Sequence, residues 1–152
     1  MMNFFQHTRL LALLTLGISS HAIAGSPIYT GLFGNTAIRG YDTVAYFTEN
    51  KPVKGSSDYT ADWQGATFQF ASKANRDKFK AAPEQYAPQY GGYCAYAVAA
   101  KSEKVSTEPD AFKVIAGKLY LNYDKDIQKK WEANQASYIQ KANVVWPNLR
   151  NE

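Results

Sequence analysis

The residues best placed to do chemistry lie in one run, Gln89-Tyr90-Gly91-Gly92-Tyr93-Cys94-Ala95-Tyr96-Ala97-Val98-Ala99-Ala100. Cys94 is the one cysteine in 152 residues. A thiol in this setting has three chemical fates. It packs as a small hydrophobe, it reacts as a thiolate, or it binds a soft ion such as copper(I). Alone it cannot complete a copper(I) site, so a second chain, a small thiol or a carboxylate such as Asp42 would have to join it. The Gly91-Gly92 pair would bring backbone N–H groups close to the sulfur and favour the thiolate. Tyr41, Tyr90, Tyr93 and Tyr96 either wall a pocket, with phenol groups for hydrogen bonding, or form a Tyr-rich core. Asp42 either offers its carboxylate to that pocket or caps a turn. The candidate ligand-binding set is therefore Cys94, Tyr93, Tyr96, Tyr90, Gly91, Gly92, Tyr41 and Asp42, with Cys94 the candidate metal ligand.

The inventory around that set is narrow. Residues 1–24 read as a secretory signal peptide. A short n-region carries Arg9, an apolar run spans residues 10–18, and Ala22-Ile23-Ala24 is a small-residue cleavage site. The apolar run is about half of the ~20 residues a membrane span needs. Cleavage before Gly25 removes both histidines, His7 and His21, and both methionines, Met1 and Met2. It also removes Arg9, leaving sixteen Lys and Arg against thirteen Asp and Glu, a net charge of +3. Without an imidazole, Cys–His and Ser–His–Asp catalysis have no base. Zinc sites of the Cys/His kind lack ligands. The expected location is outside the cytoplasm, periplasmic in a Gram-negative cell and secreted otherwise. Export and scattered lysines argue against a nucleic-acid partner, and contact with a membrane is expected only during export.

The elements that must hold Cys94 follow from patterning. Residues 25–39 read as an extended lead-in rich in Gly, Ser, Pro and Thr. Residues 40–47 suit a short buried strand or a single turn. Tyr59, Ala61 and Trp63 alternate with polar residues, as do Ala66, Phe68 and Phe70, around a Gln64-Gly65 turn. This predicts a hairpin with one aromatic face. Ser72 caps a helix over residues 73–81, which Pro83 stops. Residues 83–88 make a turn or one helical turn. The alanine-rich run after Gly92 suits a short helix, with a buried strand as the alternative. A helix would put Cys94 in its first turn, where the dipole lowers a thiol's pKa. A second hairpin is expected around Ala116-Gly117-Lys118. After it, Asp124 caps one long helix that ends before Trp146-Pro147, with Ile127, Trp131, Tyr138 and Ala142 on its apolar stripe. The two hairpins differ enough in sequence that no internal repeat is expected. The fold class is thus α+β, a single small domain of two β-hairpins packed with about three helices.

Several motifs carry a resemblance to a known family. They are residues 40–47 (GYDTVAYF), residues 65–72 (GATFQFAS) with Asn75, Arg76, Asp77 and Phe79, residues 83–86 (PEQY), residues 89–95 (QYGGYCA) and residues 117–122 (GKLYLN). Together they resemble the YHS-domain family, in its small exported single-domain branch, from about Gly40 to Pro147. The resemblance implies a small α+β unit at 40–147. Versions fused to heavy-metal transporters are thought to bind metal through cysteines. The matching positions here are Ala45, Ala71 and Asn75, none of which binds a soft metal. That cysteine site does not carry over, and Cys94 lies outside its pattern.

The function expected from the sequence is a small exported binding module whose ligand or copper(I) site surrounds Cys94. A thiol-based redox enzyme using Cys94 is one alternative, and a structural or interaction protein without site chemistry is the other.

Overall fold

The computed structural model describes residues 25–152; the signal peptide expected at 1–24 lies outside them. The described chain is α+β. Helix α1 (Thr43–Thr48) precedes a hairpin of β1 (Ser56–Trp63) and β2 (Ala66–Phe70). Helices α2 (Lys73–Ala81), α3 (Pro83–Tyr86) and α4 (Ala95–Lys101) follow. A second hairpin, β3 (Phe112–Ile115) with β4 (Lys118–Leu121), leads into α5 (Lys125–Glu132) and α6 (Gln135–Leu149). The hairpins are separate two-stranded antiparallel sheets.

Local chemistry explains these elements. Gln64 (φ 47°) and Gly65 (φ 80°) are both left-handed, the pairing that a tight two-residue hairpin turn requires. The Ser72 hydroxyl accepts from the Asn75 N–H at 3.1 Å, and the Asp124 carboxylate accepts from the Ile127 N–H at 2.8 Å. These caps start α2 and α5.

Several sequence expectations change in detail. Residues 43–48 are helical because Asp42 satisfies the first amides of α1. The long helix expected after Asp124 is two helices, since Asn134 adopts φ −145° and leaves the helical region. The second of these runs through Pro147 to Leu149. With α1 and α3 counted, six helices are present among the described residues. The lead-in forms no regular element at residues 25–35 but is docked, with Ile28 only 1% exposed. The Tyr29 N–H donates to the Gly91 carbonyl, and the Ile38 N–H to the Tyr29 carbonyl, each at 2.8 Å.

An internal repeat is present, contrary to the sequence expectation. Gln64 and Ala116 are 52 positions apart, as are Gly65 and Gly117, and each pair is the left-handed core of a hairpin turn. The same spacing relates Ile38, Arg39 and Gly40 to Tyr90, Gly91 and Gly92, all at positive φ, and Asn50 to Ser102. It relates the strand registers too, since Trp63 pairs with Ala66 and Ile115 with Lys118. The Asp42 N–H donates to the Val53 carbonyl, and the Cys94 N–H to the Val105 carbonyl. Residues 38–86 and 90–138 are therefore two copies of one backbone, α1-hairpin-α2-α3 and α4-hairpin-α5-α6, with no insertion between matched positions. Ten of the 49 aligned pairs are identical, among them Gly40/Gly92, Tyr41/Tyr93 and Tyr86/Tyr138.

Each copy has its own core. In the first, Phe68, Phe70 and Phe79 pack together, with the Phe68 and Phe79 rings stacked at 4.6 Å between centroids. In the second, Tyr120, Trp131 and Val98 take the centre. Strand β4 joins the two, with Leu119 and Leu121 facing the first cluster and Tyr120 the second. It is therefore buried on both faces.

Candidate functional site

The repeat places Asp42 and Cys94 at equivalent positions, each at the start of a short helix. Asp42 is fully buried. One carboxylate oxygen accepts from the N–H groups of Val44 (2.9 Å) and Ala45 (3.1 Å). The other accepts from the Ala71 N–H (2.9 Å) and from Asn75 Nδ2 (2.8 Å). Asp42 thus ties α1 to the end of β2 and to α2. Of the two roles open to it from sequence, it takes the cap and does not join Cys94.

Cys94 repeats this arrangement with a different head group. The backbone N–H groups of Tyr96, Ala97 and Tyr123 face its sulfur. They are the counterparts of Val44, Ala45 and Ala71. None of them closes a capping hydrogen bond onto the thiol. Where Asn75 supplies the fourth donor in the first copy, Ile127 stands in the second. The Asn122 side chain lies against the sulfur instead, with Oδ1 3.7 Å from Sγ and also accepting from the Tyr96 N–H at 3.1 Å. Asn122 is fully buried, and its Nδ2 has no hydrogen-bond partner.

Burial pushes the Cys94 thiol pKa up. The three amides pull the other way and do not overcome desolvation, so the lowered pKa expected from a helix start does not hold. Cys94 is 1% exposed, and it is among the residues lining a pocket of about 300 Å³. Tyr96, Ala97, Lys101, Val105, Tyr123 and Ile127 complete the lining. The pocket is largely apolar, with Lys101 as its one cation.

The remaining candidates are not gathered there. Tyr96 lines the pocket, with its ring 5.2 Å from that of Tyr138. Tyr90 is buried on the far side, its hydroxyl donating to Asn143 Oδ1 at 2.9 Å. Tyr93 donates to the Ser26 carbonyl at 2.9 Å and packs on Tyr29. Tyr41 lies under the Lys54 ammonium, 4.7 Å from its ring centre. Gly91 and Gly92 serve packing. A Cβ on Gly91 would lie 1.8 Å from the Pro27 carbonyl oxygen, and one on Gly92 would lie 2.2 Å from Ile38 Cδ1. Sequence reasoning missed Lys101, Val105, Asn122, Tyr123 and Ile127. The signal for Asn122 was a polar residue closing an apolar strand; the signal for the rest was the 52-residue spacing.

The donors at Cys94 do not suit copper(I). One thiol and one carboxamide oxygen are present, Asp42 is committed elsewhere, and a second soft ligand is missing. Among the described residues, no three His, Cys, Asp or Glu side chains come together to hold a metal ion.

Fold and site together define a small α+β domain built from a repeated unit, with a pocket lined in part by Cys94 in its second copy. Residues 44–90 match the family model of the YHS domain. The match stops short of Cys94, so the pocket lies outside the matched segment. No curated protein and no solved structure matches the chain.

Proposed function

We propose that the protein is a small exported binding module whose ligand occupies the pocket above Cys94. The observation that carries this reading is the contrast between the copies. In the first, the polar clasp of Asp42 and Asn75 ties the elements together. In the second, Cys94 and Ile127 replace that clasp and line a pocket of about 300 Å³, near the lower end of volumes typical of small-molecule sites. Its walls suit a small, largely apolar molecule, and Lys101 at its edge suits an anionic group on that molecule. Export belongs to the reading through residues 1–24. Copper(I) does not, because the donor set falls short.

The test is a thermal-shift titration with octanoate and benzoate. Binding at one hundred times Kd stabilises by about 2.7 kcal/mol. The reading expects a rise in Tm for at least one of these acids, reduced by Lys101→Glu and retained in Cys94→Ser. No shift with either acid, or a shift indifferent to Lys101, would leave the site reading without support and favour a purely structural role.

A further inference from the structure

We propose that the cleft between the two copies is a second binding site, and that it takes an acidic oligosaccharide. The cleft shares no residue with the pocket lined by Cys94 and does not depend on it.

The cleft exists because α6 outgrows the repeat. Its counterpart in the first copy, α3, ends at Tyr86, whose match in the second copy is Tyr138. Helix α6 continues past that point to Leu149. On this extension Ala142 and Leu149 close the second core. Asn143, Trp146, Pro147 and Arg150 lie at i, i+3, i+4 and i+7, on one helical face, and all four line the cleft. The extension reaches the first hairpin, where Arg150 Nη2 donates to Gln64 Oε1 at 3.3 Å. Trp63 and Glu84 of the first copy and Lys118 of the second also line the space. Its volume is about 430 Å³, larger than the Cys94 pocket and within the range of small-molecule sites.

The lining is open to a ligand. Trp63 and Trp146 are only half-buried, and Gln64, Glu84, Lys118 and Asn143 are exposed. Among the described residues, Lys118, Arg150 and Glu84 form no ion pair. The Tyr90 hydroxyl donates to Asn143 Oδ1 at 2.9 Å, which orients that carboxamide and leaves its Nδ2 to donate elsewhere.

A sugar acid matches this mixture. The C–H faces of a pyranose are apolar and pack on indole surface. Its hydroxyl rim both donates and accepts, which suits the carboxamides of Gln64 and Asn143 and the Glu84 carboxylate. Lys118 and Arg150 outnumber Glu84, so the cleft carries a positive excess. A uronate carboxylate meets that excess through charge-assisted hydrogen bonds. A purely apolar ligand would strip water from these groups and give them no partner in return.

The test is titration of the folded protein with digalacturonate and with a hyaluronan tetrasaccharide, followed by tryptophan fluorescence and calorimetry. Trp131 is fully buried, so Trp63 and Trp146 carry the fluorescence response. Cellobiose serves as the neutral sugar and tetraglutamate as the acidic peptide. The expected result is a fluorescence change with at least one uronate, and binding of that uronate about ten-fold weaker in Lys118→Glu and in Arg150→Glu. Four outcomes overturn the proposal: neither uronate binds, cellobiose binds as tightly, tetraglutamate binds as tightly, or both charge reversals leave uronate affinity unchanged. Lys101→Glu separates the two sites. It should leave uronate binding at the wild-type level, and Lys118→Glu should leave the octanoate or benzoate shift intact. Uronate binding lost in Lys101→Glu would place the sugar in the other pocket and overturn the assignment to this cleft.

Discussion

Replacing Asp42 by alanine should be among the most damaging single changes in the first copy. The carboxylate is fully buried and accepts four hydrogen bonds, from the N–H groups of Val44, Ala45 and Ala71 and from Asn75 Nδ2. Hydrogen bonds to a charged acceptor contribute about 1.5–3 kcal/mol each, though not additively. Losing an ordinary helix cap costs about 1 kcal/mol. Here the loss also strands the donors of Ala71 and Asn75, which tie three elements together. A total near 4 kcal/mol follows, with some recovery by entering water. For a domain of this size that lowers Tm by roughly 10–15 °C. The equivalent change Cys94→Ala removes only a small apolar group that caps none of these amides, and about 1 kcal/mol is expected. Urea titration followed by near-UV circular dichroism measures both. An Asp42→Ala loss below about 1 kcal/mol, or one no larger than that of Cys94→Ala, would refute the view that the first cradle is filled and the second is not.

Two further predictions concern alkaline pH and the docked lead-in. Burial raises the pKa of Cys94, and of Tyr46 and Tyr90 well beyond the ordinary phenol range. These groups stay protonated in the folded state after the unfolded chain has begun to ionise. Their contribution is therefore complete at neutral pH and falls as pH rises past about 8.5 for the thiol and about 10 for the phenols. Melts between pH 7 and pH 11 should show a steepening loss of Tm, and iodoacetamide should label Cys94 more slowly in folded than in urea-unfolded protein. Gly91→Ala forces a side chain into a left-handed residue (φ 62°) and against the Pro27 carbonyl. A loss of about 3 kcal/mol is expected, with new protease cleavage within residues 25–36, and unchanged stability would contradict the docking of that segment.

Much of the fold was legible because its signals are local. Gln64-Gly65 and Ala116-Gly117 mark turns by residue type, and Ser72 with Pro83 brackets α2. The break between α5 and α6 was not legible, since Asn134 and Gln135 interrupt the apolar stripe without a glycine or proline. The repeat stayed hidden for a related reason. What recurs is backbone conformation, and Ile38, Arg39, Asn50, Gln64, Tyr90, Ser102 and Ala116 adopt positive φ without being glycine. Such positions are enforced by tertiary contacts that composition does not display. The site was half legible. Cys94 and Tyr96 do line one pocket, but Tyr41, Tyr90 and Tyr93 point to other neighbours. The partners of Asp42 come from 29 and 33 residues away, which no local motif reveals.

The equivalence of the two cradles can be read amide by amide. In a ¹⁵N-labelled Cys94→Asp variant, the N–H resonances of Tyr96, Ala97 and Tyr123 should move downfield and exchange more slowly, approaching the behaviour of Val44, Ala45 and Ala71. Resonances that stay where they are in the wild-type spectrum would mean the new carboxylate is not received by those amides, and the likeness of Cys94 to Asp42 would be one of backbone shape alone.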